Sequence, residues 1–163
     1  MASWSEIEAE VPEFAAAVRA RLDAGKHKTL ATLRADGSPR ISGTEAEFVA
    51  GELWFGSMPG ARKARDLQRD SRFALHSASA DPPEWSGDAK LSGRVEEITD
   101  DERFGAYLAA RAGEGEQPDP PGRFHLFRAE IDEAVLVGLN EARDRLVIEH
   151  WHEGRGLARI ERE

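Results

Sequence analysis

Residues 55–67 read FGSMPGARKARDL and gather Arg62, Lys63 and Arg65 in a chain that is otherwise strongly acidic. Gly56, Pro59 and Gly60 bend the backbone, and the run from about Ala61 to Asp70 reads as a helix. Arg62 and Lys63 then fall in the first turn, where unpaired N–H groups already supply roughly half a positive charge. On one reading this is a solvated amphipathic helix, with Leu67 toward the core and the arginines outside. That accounts for Arg65 and Arg69 better than for Arg62 and Lys63, and Asp70 at the far end opposes the helix dipole as well. On the other reading a bound phosphate reverses the sign of the cost. Free N–H groups, the dipole and two cations converge on one anion, and Ser57 adds a hydroxyl. The residues alone leave both readings open.

The net charge of −9 conceals an asymmetry. Residues 26–76 hold nine Lys/Arg against six Asp/Glu, a local excess of +3, so the remainder carries −12. A nucleic acid would be repelled over most of such a surface, whereas one small anion could be held locally. The absence of cysteine removes disulfides, thiolate catalysis, iron–sulfur clusters and cysteine-type zinc sites. His150 and His152 flank Trp151 at strand spacing and share a face, but with no third ligand nearby in sequence they read as surface histidines, not a metal pair. Structural or exposed roles are expected for His27, His76 and His125. No G-x-G-x-x-G after a strand, G-x-x-x-x-G-K-[ST], G-x-S-x-G or H-E-x-x-H occurs.

The elements that position these residues follow from periodicity and turn chemistry. The 163 residues suit one domain, 1–163. Pro12, Phe14, Val18 and Leu22 place a helix in the segment about 5–24, closed by Gly25. Strands are expected at 27–33, 39–49 and 52–57, joined by turns at Asp36-Gly37 and Ala50-Gly51. Further strands are expected at 72–77, 89–98, 123–139 with a break or bulge, 145–151 and 157–161, with a helix capped at 99–101 and running to about 112. AGEGEQPDPPG, ending at Gly122, reads as a mobile surface loop. Seven or so strands with connections too short for crossovers indicate a mainly β (α+β) chain, an antiparallel closed or nearly closed barrel with flanking helices. No run approaches about 18 apolar residues, so no membrane span is expected. The acidic start MASWSEIEAE lacks the features of a secretory signal, so a cytoplasmic location is expected.

The succession TLATLRADGSPRISG followed by ELWFGSMPGARKARDLQRDSRFAL resembles the flavin-binding split barrel superfamily that includes pyridoxamine 5'-phosphate oxidase, over roughly residues 26–98. The resemblance implies a six- to seven-stranded split β-barrel and a cofactor that is FMN or, alternatively, the deazaflavin coenzyme F-420. It implies that Arg62 and Lys63 hold the cofactor phosphate, that Arg40, Ile41, Ser42 and Gly43 border the flavin ring and phosphate, and that Ser57 contacts the cofactor. EHWHEGR is similar to the family's E-F-W-Q-G-R, implying that Trp151 closes over the flavin of a partner subunit. Glu45 stands where the oxidase has a substrate-binding lysine, and the family's R-L-H-D-R signature is missing, so vitamin-phosphate oxidation is not expected.

What remains is hydride transfer to or from a small-molecule substrate, with a non-catalytic flavin- or haem-binding protein on the same barrel as the alternative. Lys26 and Lys28 are candidate partners for the deazaflavin's anionic tail. A homodimer is expected, with Trp54, Phe55, Trp85 and Trp151 supplying apolar area for the contact.

Overall fold

The computed structural model describes residues 1–114 and 123–163. The strands are β1 (His27–Leu33), β2 (Pro39–Val49), β3 (Glu52–Ser57), β4 (Arg72–His76), β5 (Asp88–Glu97), β6 (His125–Leu139), β7 (Leu146–His152) and β8 (Gly156–Arg162). The helices are α1 (Trp4–Glu10), α2 (Pro12–Asp23), α3 (Arg62–Arg69) and α4 (Asp101–Gly113). All strand pairings are antiparallel in the order β3-β2-β1-β4-β5-β6-β7-β8, and a further β3–β6 pairing closes the first six into a barrel. The split is visible on one edge of β6. Its first residues pair with β3, Ser57 opposite His125, and its second half pairs with β7, Ala134 opposite Trp151.

The irregularity expected in β6 is a bulge. Ser92 faces Glu133 while Gly93 faces Ile131, leaving Asp132 as the extra residue. A Cβ at Gly93 would sit 2.0 Å from the Glu130 carbonyl oxygen, so only glycine permits this approach.

The opening helix is two helices. α1 begins at a capping box in which Ser3 and Glu6 satisfy each other's backbone N–H groups. Val11 leaves helical geometry, as a residue preceding proline is pushed to do, and Pro12 then starts α2 at a position that requires no N–H. Trp4, Ile7, Phe14, Val18 and Leu22 pack with Leu53, Phe55, Phe73, Phe127 and Trp151 into the principal core. A second cluster, Val49, Trp54, Ile98, Tyr107 and Leu126, seats α4 on the outer face of β2 and β3. The proposed loop after Ala112 falls largely outside the described residues.

Candidate functional site

β2 alternates so that Thr44, Ala46 and Phe48 are buried, while Gly43, Glu45 and Glu47 face outward. Outward too is Gly56, between the buried Phe55 and Ser57. α4 docks over this face, and between it and the barrel lies a cavity of about 760 Å³. Gly43, Ser57, Lys63, Glu47, Trp54, Tyr107, Arg111, Arg123 and Phe124 are among the residues that line it. At one end the loop from Ser57 runs into α3, whose N-cap, Ala61, offers no side chain to the first-turn N–H groups and whose first turn holds no acid. Ser57 is 8% exposed, and its buried Oγ has no hydrogen-bond partner among the described residues. Lys63 Nζ donates to the Gly43 carbonyl at 2.7 Å, and burial lowers its pKa. At the other end Tyr107 donates its hydroxyl to Glu47, which also pairs with Arg111 at 2.8 Å.

Arg62, adjacent to Lys63, points about 100° away around the helix and lines a different cleft. That cleft, about 350 Å³, lies between the β1–β2 hairpin and α3 and is lined by Arg34, Arg40, Arg62, Arg65, Arg69, Asp36 and Asp66. Asp66 is 3% exposed and organises it. It accepts from Arg40 Nε at 2.6 Å, Thr32 Oγ1 at 2.9 Å and Arg69 Nη2 at 3.2 Å. Burial would raise its pKa, but the bonds from Arg40, Thr32 and Arg69 outweigh it and hold the carboxyl below its ordinary range. Arg34, Arg62 and Arg65 form no ion pair among the described residues. Asp70, expected to oppose the helix dipole, is the C-cap and is paired with Arg72.

Of the residues singled out in the sequence, Gly43, Ser57 and Lys63 are brought together in the larger cavity. Arg40 and Arg62 line the arginine cleft, and Ile41 projects outward, 75% exposed. Ser42 is half-buried. Trp151 is 1% exposed within this chain's own core and lines neither space. Lys28 is buried, its Nζ donating to the Ala46 carbonyl at 2.8 Å, while Lys26 is exposed, 3.5 Å from Glu45. Of the aromatic residues expected at a subunit contact, Trp54, Phe55 and Trp151 are core residues and Trp85 is half-buried.

Sequence reasoning missed Glu47, Tyr107, Arg111, Arg123 and Phe124, which reach the cavity through the docking of α4 and the chain leading into β6. Their only local signal is the aromatic spacing of Phe104 and Tyr107. His150 lies 3.2 Å from Glu133 on the outer face, its ring 6.4 Å from that of His152.

A six-stranded closed barrel with a split long strand defines the split-barrel class. The pyridoxamine 5'-phosphate oxidase family profile matches residues 14–138, and the chain belongs to that family. No functionally curated protein matches it in sequence. Among solved structures it is similar to a pyridoxamine 5'-phosphate oxidase-related, FMN-binding protein from Nostoc punctiforme, with 16% identity over 94% of this chain and 96% of that one and a TM-score of 0.63. A haem-binding protein from Mycobacterium smegmatis is 18% identical over 89% and 86% of the two chains, with a TM-score of 0.55. An F420 reductase is 19% identical over 71% and 94%, with a TM-score of 0.53. At these identities the likeness is one of fold. No helix among the described residues is long and apolar enough to cross a membrane.

Proposed function

We propose that the chain binds a phosphorylated flavin-type cofactor, FMN or the deazaflavin coenzyme F-420, and passes hydride between it and a small-molecule substrate. The observation that carries this reading is the buried Ser57 Oγ, without a hydrogen-bond partner among the described residues, beside the uncapped N-terminus of α3. A phosphate there would meet the hydroxyl, free first-turn N–H groups, Lys63 from the cavity side and Arg62 from the cleft side. Arg40 acts at one remove, fixing Asp66 and through it the pitch of α3. The remaining length of the cavity, with Trp54 and Phe124 on its walls and Gly43 and Gly56 on its floor, suits a flat ring. The cofactor supplies the redox chemistry when bound, so the protein's part is to anchor, orient and exclude water. Ile41 lies on the outer face of β2, beside a shallow depression lined by Thr29, Ala31, Ala74 and Ser92. This exposed face, with Ile41 at its rim, is the proposed homodimer contact.

Absorption spectroscopy of the purified protein titrated with FMN, coenzyme F-420, riboflavin and haemin tests the reading. Binding of FMN or the deazaflavin near micromolar, with riboflavin far weaker, supports it. A Soret band with haemin and no response to either flavin overturns it in favour of the haem-binding alternative. Turnover of reduced nicotinamide or reduced deazaflavin with an electron acceptor separates an enzyme from a carrier.

A further inference from the structure

His125 opens β6 opposite Ser57, and both of its ring nitrogens are engaged. Nδ1 lies 2.7 Å from Glu97 Oε1 on β5, and Nε2 accepts the Gly60 amide N–H at 3.2 Å. Because Nε2 accepts the Gly60 N–H, it carries no hydrogen, and the ring hydrogen sits on Nδ1, facing Glu97. Phe127 stacks with the ring at 6.3 Å, and Gln68 from α3 donates to both Glu97 oxygens, at 3.0 and 3.1 Å. Gly60 adopts φ +74°, and Ala61, the next residue, is the N-cap of α3 and donates its own N–H to the Met58 carbonyl at 3.1 Å.

We propose that His125 is a positioning residue of the cofactor site. Its unprotonated Nε2 clamps the turn 58–61 so that the first-turn N–H groups of α3 and Ser57 Oγ converge on one phosphate, and protonation of the ring releases the clamp. The inference rests on the phosphate reading of the cavity. The groups that face the ring are Glu97 from β5, Gln68 from α3, the Gly60 amide from the turn and Phe127 from β6, with Arg65 against the far side of Gly60. Protonation makes Nε2 a donor opposed to the Gly60 N–H, so the turn opens. The charge gained is countered by Glu97 and does not compensate at the phosphate.

The test compares His125→Phe, which keeps the stacked ring and removes both bonds, with His125→Gln, whose Oε1 can still accept from Gly60. FMN affinity should fall about fivefold to tenfold in the Phe variant, with riboflavin affinity unchanged, and recover in the Gln variant. The parent's FMN affinity should fall further on acidification than that of His125→Gln. The phosphate's own ionisation near pH 6 is common to both proteins and cancels. Equal loss of FMN and riboflavin, absence of rescue by Gln, or identical pH profiles overturn the inference. Amide hydrogen exchange at Gly60 in the cofactor-free protein separates the two readings. A parent that binds no flavin overturns the cofactor assignment alone, whereas a Gly60 amide that exchanges equally in parent and Phe variant overturns the clamp whether or not flavin binds.

Discussion

Replacing Arg62 and Lys63 together with alanine discriminates most sharply between a phosphate anchor and a solvated helix. In the unliganded fold the effects nearly cancel. Two cations leave a helix N-terminus, a gain of about 0.3–1 kcal/mol each, and the bond from Lys63 to the Gly43 carbonyl is lost, a cost of about 1 kcal/mol. The melting temperature without cofactor should therefore shift by only a few degrees in either direction. Bound phosphate changes the arithmetic. Lys63 is half-buried and Arg62 is exposed, so the contacts belong toward the lower part of the 1.5–3 kcal/mol range for charged hydrogen bonds. Their joint loss is about 3 kcal/mol, or more than a hundredfold in affinity for FMN. Riboflavin, which has no phosphate, should bind parent and variant alike. Fluorescence titration of both ligands, beside thermal unfolding of the unliganded proteins, measures each quantity. FMN bound as tightly by the double variant as by the parent, or a large loss of stability without cofactor, refutes the reasoning.

Asp66→Ala should cost about 3 kcal/mol in urea unfolding, because it leaves Arg40 partly buried without its carboxylate. The parent's Asp66 has a depressed folded pKa, so its contribution is complete above the ordinary carboxylate value of about 4 and disappears as pH falls through the folded value. Over that acid range the stability of the parent should drop more steeply than that of Asp66→Ala. Gly93→Ala should destabilise by about 3 kcal/mol, read by the same unfolding assay, since the new methyl meets the Glu130 carbonyl of the neighbouring strand. Ile41→Lys should convert a dimer to an 18 kDa monomer in sedimentation while leaving the far-ultraviolet spectrum unchanged, and a parent that is itself monomeric removes the proposed contact.

The strands of the first half were legible because their signals are local. Alternation and the Asp36-Gly37 turn place β1, β2 and β3 at their observed boundaries, and the overlong run before Leu139 announces a bulge. The break between α1 and α2 was less legible, since the apolar spacing of Phe14, Val18 and Leu22 continues smoothly from a helix start near Ser5. Only the geometry required of Val11 before Pro12 interrupts it. At the site, the run from Gly56 to Lys63 revealed the helix start but not the divergence of its two cations. That divergence depends on which face α3 lays against the barrel. Nor could the sequence show that Arg40 is taken up by Asp66, 26 positions away. The aromatic residues were ambiguous for the opposite reason: in a small barrel they can serve the core or an interface, and only the packing shows Trp54, Phe55 and Trp151 inside this chain's core, with Trp85 half-buried.

The distribution of charge around α3 explains why the phosphate reading survives the separation of Arg62 from Lys63. Had a buried acid in the helix neutralised the whole basic segment, there would be no need for a ligand. Asp66 instead takes Arg40 from β2 and Arg69 from its own helix. Arg34, Arg62 and Arg65 are left without carboxylates among the described residues. Lys63 is engaged only through a backbone carbonyl among the described residues. Of these, Arg62 and Lys63 lie in the first turn, where the helix dipole adds to their charge. One anion at the helix end lowers the energy of both flanks at once, and Ser57 Oγ gains there the partner it otherwise lacks. From that point the larger space open to the rest of the ligand is the 760 Å³ cavity toward Trp54 and Phe124, because the opposite side is the narrower arginine cleft. An anchor at the phosphate therefore also sets the direction of the ring.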